Sequence, residues 1–166
     1  MDERAKLEEK KPEEKLNMSD SDLERLFHGA GLKMTNQRVA VYREVVEHAS
    51  HPSAEAVYGR VRRRLPAISL NTVYRTLALL AEKGIIRHLE GLADKSFYDH
   101  NTDRHHHFIC TRCGAIQDVH IDNLDMLRVE DMPEGVEEIV VHIKGLCDGC
   151  RGMCGAKFPE ENAPGS

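Results

Sequence analysis

The stretch from Asp99 to Asp118, DHNTDRHHHFICTRCGAIQD, concentrates side chains that bind metal ions. It holds four histidines, two cysteines and three carboxylates. Because successive side chains on a strand alternate faces, His105 and His107 are predicted to project on one side and His106 on the other. Two imidazoles on one side can share a metal ion, so the stretch predicts a site made of nitrogen and oxygen ligands.

Four of the five cysteines fall in two CxxC pairs, which are Cys110, Cys113, Cys147 and Cys150. A CxxC turn allows two thiolates to bind one Zn2+, and a second pair elsewhere in the chain is typical of a closed structural site. We therefore predict a four-cysteine zinc site separate from the histidine site. Redox-active dithiols are one alternative, and a zinc site that joins the first pair to His105 and His107 is another. Cys154 has no assigned role.

The composition excludes several classes of protein. A chain of 166 residues makes one or two small domains, in which a structural metal would supplement a modest core. No apolar run approaches the ~20 residues needed to span a membrane, and the charged start, MDERAKLEEKK, has no signal-peptide core. Thiol ligands for a metal suit a reducing compartment. We predict a cytoplasmic protein with no membrane partner.

The net charge of −5 hides an asymmetry along the chain. The segment from Lys33 to His88 holds ten lysines and arginines against four acidic residues, a net of +6. From Leu89 onward, seven basic residues stand against fifteen acidic ones, a net of −8. The basic module is therefore the candidate for contacts with DNA phosphates.

Capping residues predict four helices in the first half of the chain. Ser21 with Glu24 predicts a capping box at the start of a first helix, which ends at Gly29. The three further predicted N-caps are Thr35, Ser53 and Ser69. Two short apolar runs after Gly84, IIRHL and KSFY around a GLAD turn, predict a β-hairpin. Helices followed by such a hairpin make a winged helix-turn-helix.

The fourth helix is the predicted recognition helix, placed to enter the major groove of DNA. Its predicted buried face comprises Leu70, Val73, Leu77 and Leu80. The residues predicted to contact DNA lie on its other side, with one more from the third helix; they are Asn71, Thr72, Tyr74, Arg75 and Arg60.

After Asp99 the pattern changes to strands, with HHFIC, AIQDVHI and EEIVVHI as predicted strands and a short helical piece near DNLDMLRVE. The predicted fold class is α+β: an N-terminal winged helix-turn-helix, then a small α/β domain with a four-cysteine zinc site. The strand edges of this second domain suit pairing with a second copy. The predicted organisation is a charged tail at 1–17, a DNA-binding domain at 18–98, a hinge at 99–104, a metal-binding domain at 105–150, and a flexible tail at 151–166.

Several separated motifs along the chain resemble, in their order, those of the ferric uptake regulator (Fur) superfamily of metal-dependent bacterial repressors. The resemblance covers roughly Gly31 to Cys150, through GLKMTNQR, HPSAEAVY, SLNTVYRTL, HHHFICTRCG and GLCDGC. It implies a homodimer that binds palindromic operator DNA, with an α/β dimerisation domain at 105–150. It also implies a regulatory metal site at the hinge. The ligands of that site would be His51, Asp99, His105, His107 and Asp118. Three imidazoles and two carboxylates suit Fe2+ or Mn2+.

The acid at position 118 distinguishes branches of the family. Iron-uptake regulators usually place Glu there and peroxide-sensing repressors place Asp, so this chain, with Asp118, resembles the second branch. In that branch, Fe2+ in the site reacts with hydrogen peroxide and a ligand histidine is oxidised; His51 and His105 match the positions oxidised in relatives. The resemblance implies a repressor and not an enzyme, with peroxide as its only small-molecule substrate.

Three alternatives to a peroxide sensor stay open. One is an iron-responsive or other metal-responsive repressor of the same fold, and another is a zinc sensor, which the lack of a thiolate in the regulatory site disfavours. The third is a non-haem iron enzyme, since two histidines and a carboxylate can form a facial triad. A further metal site found in many iron-type members is predicted to be degraded or absent here, where its positions hold Arg104 and His106, with Asp125 as an available acid.

Overall fold

A computed structural model describes residues 15–48, 51–89, 96–121, 134–136 and 139–152. The chain forms two compact units that divide between Arg104 and His105. The described part of the first unit contains the helices α1 (Asp20–Gly29), α2 (Asn36–Val46), α3 (Ala54–Arg64) and α4 (Leu70–Glu82). None of the helices described is long and apolar enough to cross a lipid bilayer.

Three of the helices begin where the sequence predicts. The hydroxyls of Thr35, Ser53 and Ser69 each accept a hydrogen bond from the backbone N–H three residues later, which confirms them as N-caps. These bonds satisfy backbone donors that have no partner inside the first turn of a helix. The caps therefore fix where α2, α3 and α4 start.

The first helix begins two residues earlier than the sequence pattern predicts. Its N-cap is Ser19, whose hydroxyl accepts from the Asp22 N–H while the Asp22 carboxylate accepts from the Ser19 N–H. Ser21 already lies inside α1, so the predicted box of Ser21 and Glu24 is wrong. An aspartate closes the reciprocal pair here in place of the usual glutamate, which the spacing rule did not allow for.

The inner face of α4 packs into the core of the first unit. Val73, Leu77 and Leu80 are fully buried, as predicted. Leu70 is 37% exposed, so its place in the predicted buried face is wrong, because the first residue of α4 lies beyond the edge of the core. Thr76 is buried on this face instead.

A two-stranded antiparallel sheet follows α4 and forms the wing. Strand β1 (Arg87–Leu89) pairs with β2 (Phe97–Asp99), with Arg87 opposite Asp99. The predicted GLAD turn lies outside the described residues. Asp99, which the sequence assigns to the start of a hinge, is the last residue of β2. The helices and this wing make the predicted winged helix-turn-helix.

The second unit is built around three strands and a short helix among the residues described; these are β3 (His106–Cys110), β4 (Ile116–Val119), β5 (His142–Gly145) and α5 (Asp148–Gly152). Their order is β4-β3-β5, with β4 antiparallel and β5 parallel to β3. The first two match the predicted strands, but the third begins later than the predicted EEIVVHI, since its pairing with β3 starts at His142. The helical piece predicted near DNLDMLRVE and Cys154 lie outside the described residues.

Candidate metal centres and nucleic-acid interface

The second unit gathers its four described cysteines into one cluster, which we call the cysteine cluster: Cys110, Cys113, Cys147 and Cys150. Their Sγ atoms all lie within 4.8 Å of one another, and the Cys113 and Cys147 sulfurs are 3.8 Å apart. Four thiolates at ~2.3 Å from a tetrahedral Zn2+ stand about 3.8 Å apart. The cluster therefore fits zinc. The alternative that joins the first CxxC pair to the histidines is disfavoured, because those thiols face the second pair.

Two thiols of the cysteine cluster have opposite acidities. The backbone N–H groups of Cys147 and Cys113 lower the pKa of Cys110 to about 5. A side-chain hydrogen bond with Cys147, followed by burial, raises the pKa of Cys150 to about 12. At neutral pH one sulfur is therefore already a thiolate ligand, and another must lose a proton when a metal binds.

A second group of ligands lies at the start of β3; we call His105, His107 and Asp118 the His105 cluster. The Nε2 atoms of His105 and His107 are 2.9 Å apart. The Asp118 Oδ1 lies 3.5 Å from the first of these nitrogens and 4.0 Å from the second. Pairing of β3 with β4 sets His107 opposite Asp118. The imidazoles are 0% and 1% exposed, whereas the carboxylate is 35% exposed.

The geometry of the His105 cluster fits a divalent cation. Two cis nitrogens of an octahedral site stand about 3.0 Å apart when metal–nitrogen bonds are near 2.1 Å. The cluster combines imidazoles with a carboxylate and has no thiolate, a donor set that suits Fe2+ or Mn2+. Unlike the cysteine cluster, it is therefore a candidate for an exchangeable, redox-active metal.

The first unit holds another imidazole and carboxylate side by side. His51 Nε2 lies 3.5 Å from Asp99 Oδ2, and the side chains are 3% and 1% exposed. The Tyr98 N–H donates to the Pro52 carbonyl at 3.1 Å, and Ser53 forms a bridge with Phe97. The segment after His51 thus runs beside β2 like a short extra strand, and this pairing brings His51 level with the end of β2.

The backbone of His51 has an uncommon conformation. Its φ is 49°, the single positive value among the non-glycine residues described. Left-handed backbone costs a residue with a side chain ~1–3 kcal/mol and is found where the surrounding structure enforces it, often at functional sites. His51 and Asp99 belong to the first unit and the His105 cluster to the second; their coordination of one shared ion stays a prediction.

The exposed side of α4 is the candidate nucleic-acid interface. Asn71 and Arg75 are exposed there and Thr72 is half-buried. An open cleft of ≈ 580 Å³ is lined by Thr72 and Arg75, together with Thr35 and Arg38 at the start of α2. Two guanidinium groups beside the N-terminus of a helix suit contacts with phosphate oxygens.

Tyr74, another predicted DNA contact, is held by a neighbouring helix. Its phenol donates a hydrogen bond to Glu55 in the first turn of α3, and this bond is the main cause of the raised pKa of Tyr74. The phenol therefore stays neutral and oriented toward α3. Its predicted contact with DNA requires that the phenol exchange or share this partner. No motif in the sequence indicated a role for Glu55.

Arg60 pairs with a buried carboxylate that was not predicted from the sequence. Glu44 in α2 is 3% exposed; its Oε2 lies 3.0 Å from Arg60 Nε, and its Oε1 lies 3.5 Å from Arg64 Nη1. Since a buried carboxylate needs such partners, Arg60 has a structural role, and its contact with DNA stays a prediction. The available signal was the position of Glu44 on the same helical stripe as the buried Val41 and Val45.

His106 faces away from the His105 cluster, as strand alternation predicts. Its ring is buried, and its Nδ1 accepts a hydrogen bond from the Val141 N–H at 3.2 Å. The ring therefore stabilises the approach of β5 to β3. Since Asp125 lies outside the described residues, the predicted degradation of a further metal site here stays a prediction.

Comparison with known proteins gives a consistent set of matches. The model of the ferric uptake regulator family matches residues 29–143. The peroxide-responsive repressor PerR of Staphylococcus epidermidis is 35% identical over 127 residues, which cover 74% of this chain and 83% of that protein. Among solved structures, the iron-bound ferric uptake regulator of Francisella tularensis has a TM-score of 0.64 and 26% identity, covering 73% of this chain and 96% of that one. The Campylobacter jejuni peroxide stress regulator has a TM-score of 0.54 and 25% identity, with coverage of 80% and 100%.

Proposed function

We propose that this chain, which belongs to the ferric uptake regulator family, is a peroxide-sensing repressor that binds palindromic operator DNA as a homodimer. Its membership and its similarity to a named repressor make it a metal-responsive transcriptional repressor, not an enzyme. The observation that carries the finer proposal is the His105 cluster, in which two imidazoles meet an aspartate at the geometry of one ion. The similarity to peroxide-responsive proteins supports the same branch.

The proposed regulatory metal is Fe2+ or Mn2+. Its proposed ligands are the His105 cluster together with His51 and Asp99. Both groups consist of imidazole and carboxylate only, which suits one cation of intermediate hardness. An ion held by ligands from both units would fix their relative orientation and so select the form that binds DNA. The metal would thereby be the switch of the repressor.

The proposed role of the cysteine cluster is structural. Four thiols with no exchangeable ligand position form a closed zinc site, which stabilises a small domain but supplies no chemistry. Such a site needs reduced cysteines, and for this reason we place the protein in the cytoplasm. The zinc would hold the start of α5 against the end of β3 and so support the sheet that carries the His105 cluster.

Operator binding is proposed to use α4 in the major groove. The exposed Asn71 and Arg75 offer an amide and a guanidinium, the side chains that read adenine and guanine edges. The basic charge between Lys33 and His88 would supply the salt-dependent attraction to phosphates.

The second unit is proposed to pair with a second copy of the chain. Strand β5 stands at one side of the described sheet, and apolar side chains near it are exposed. They are Ile139, Val140 and Ile143, at 40%, 44% and 39% exposure. Two copies joined there would carry two recognition helices, which matches the two half-sites of a palindrome.

The sensing step is proposed to oxidise a ligand imidazole, at His51 or His105. Bound Fe2+ would activate hydrogen peroxide and end in its starting oxidation state; Mn2+ activates peroxide far less readily. In the net reaction one peroxide oxygen converts a ring C–H of the imidazole into C–OH, and the other leaves as water. The ring is thus oxidised by two electrons and the peroxide is reduced by two. The altered ring binds metal less well, so the two units lose their shared ion and operator affinity falls.

The test of this function is metal-dependent DNA binding by zinc-containing protein. Duplexes selected from a random library on Mn2+-loaded protein serve as operator, and His107→Ala is compared with His142→Ala, a change at an exposed histidine of β5. We expect the wild type and His142→Ala to bind the duplex only with Mn2+, and His107→Ala to lose both Mn2+ and DNA. DNA binding that ignores Mn2+ would contradict the proposal, and binding that requires Fe2+ but ignores peroxide would favour an iron-responsive repressor.

A further inference from the structure

Lys15 is a buried lysine in the first unit. It is 7% exposed, although lysines are almost never buried without partners. Its Nζ donates to the His100 carbonyl at 2.9 Å and to the Thr102 hydroxyl at 3.1 Å. The ammonium therefore ties a residue that precedes α1 to the segment that follows β2, far away in the sequence.

The segment bound by Lys15 contacts the carboxylate of Asp99. The Asn101 N–H donates to Asp99 Oδ1 at 2.8 Å, and the Asp103 N–H donates to Asn101 Oδ1 at 3.1 Å. The two groups bound by Lys15 belong to the residues on either side of Asn101. Fixing both neighbours restricts the position of the Asn101 backbone N–H, and this N–H holds one oxygen of Asp99 in place.

We propose that Lys15 is a positioning residue for Asp99, acting through the backbone of residues 100–102. The inference rests on the proposed function, in which Asp99 is a ligand of the regulatory metal. With Oδ1 held by Asn101, Oδ2 is directed to the side where His51 Nε2 lies at 3.5 Å. Groups that orient a metal ligand typically change metal affinity by ~10–100-fold when removed. Lys15, which precedes α1 in the sequence, therefore contributes to the geometry of the metal site.

A second tether at Arg87 allows a positioning role of Lys15 to be distinguished from simple anchoring of the chain before α1. Its Nη2 donates to the Thr102 carbonyl at 3.2 Å, so the segment has a second side-chain tether in the wing. If Lys15 only anchored the chain before α1, its removal would leave the segment to Arg87 and change stability alone. A positioning role predicts loss of metal affinity at temperatures where the variant is fully folded, and predicts that the loss acts through Asp99.

The experiment measures Mn2+ affinity and amide hydrogen exchange of zinc-containing full-length protein. Lys15→Met removes the ammonium but keeps an unbranched side chain, and Lys15→Arg keeps the charge and the donors. Lys83→Met is the matched control at a lysine that pairs on the surface with Glu82. Lys15→Met is also combined with Asp99→Asn, and Thr102→Val removes one acceptor in case Lys15→Met does not fold.

We expect Lys15→Met to weaken Mn2+ binding by about tenfold or more, Thr102→Val by less, and Lys15→Arg and Lys83→Met by less than about threefold. In the Asp99→Asn background, Lys15→Met should cause no further loss, and in metal-free protein it should speed exchange at the Asn101 and Asp103 amides. Unchanged Mn2+ affinity in Lys15→Met would overturn the positioning role of Lys15, and so would an equal loss of affinity in the Asp99→Asn background. Either result would leave the proposed function intact. A wild-type chain that binds no Mn2+ would overturn the regulatory site, and this inference with it.

Discussion

The Nε2 atoms of His105 and His107 lie 2.9 Å apart, with both rings buried at the start of one strand. The spacing follows from strand alternation, which puts every second side chain on the same face. Asp118 faces the pair because β4 is antiparallel to β3 in a register that sets it opposite His107. A two-strand element thus supplies three ligands without any long-range adjustment, and each of the following predictions changes one part of this arrangement or its surroundings.

Lengthening the acid of the His105 cluster should uncouple metal binding from peroxide sensing. Asp118→Glu keeps a carboxylate, so we expect Mn2+-dependent DNA binding to be retained. The longer side chain moves the carboxylate relative to the two imidazoles, and we expect release from DNA to need about tenfold more peroxide, or ~1.4 kcal/mol in the barrier. A peroxide titration of the Fe2+-loaded variant measures this. Equal peroxide sensitivity of the variant and the wild type would show that the identity of this acid does not determine peroxide sensing.

Zinc binding should release fewer than four protons per ion at pH 7. Cys110, with its pKa lowered from 9.0 to about 5, is already ionised, whereas Cys150, with its pKa raised to about 12, must release its proton. The lowered pKa of Cys110 contributes stability above pH 9 that is progressively lost as the pH falls toward 5. Proton release is read with an indicator dye in weak buffer, with Cys154→Ser as the control outside the CxxC pairs. Release of four protons would contradict the assignment of Cys110.

Removing the exposed arginine of α4 should weaken DNA binding without affecting metal content. We expect Arg75→Ala to lower operator affinity by about tenfold or more, since a guanidinium contact to a base contributes ~1–3 kcal/mol. Arg25→Ala, at an exposed arginine that pairs with Asp22 in α1, should leave affinity unchanged. Fluorescence anisotropy and elemental analysis give the two readouts. Full affinity in Arg75→Ala would mean that α4 is not the recognition helix.

Neutralising the buried carboxylate of α2 should destabilise the first unit. Glu44→Gln leaves Arg60 without its counter-charge, whereas Arg64 keeps Glu47. Since both arginines keep some solvent contact, we expect a loss of about 2 kcal/mol, below the ~3–5 of a fully buried pair. Glu47→Gln, at a more exposed acid 3.6 Å from Arg64, should change stability by less than ~1 kcal/mol. Urea unfolding compares the two. Equal stability of Glu44→Gln and wild type would contradict the structural role of Arg60 and leave DNA contact as its remaining predicted role.

Local chemistry made much of this fold predictable. The hydroxyls of Thr35, Ser53 and Ser69 cap helices where a serine or threonine precedes an apolar repeat, and each CxxC turn presents its own two thiols together. These features depend on residues a few positions apart. The periodicity of a strand likewise separates His105 and His107 from His106.

Features that depend on distant residues were not predictable from spacing. Helical spacing sets Glu44 beside Val41 and Val45 but does not show that Arg60 will be its partner, and Lys15 lies in a segment whose composition suggests a solvated tail. The burial of both is decided by tertiary packing. The exposure of Leu70 has the same origin, because the edge of the core is set by neighbouring elements and not by the helical repeat.

The most direct test of the account compares operator binding by Fe2+-loaded and Mn2+-loaded protein, each with and without low hydrogen peroxide, followed by mass spectrometry of the histidine peptides. The account predicts that peroxide abolishes binding only in the iron form and adds one oxygen atom to His51 or His105. Metal-dependent binding that persists in both forms after peroxide treatment, with both histidines unmodified, would contradict it.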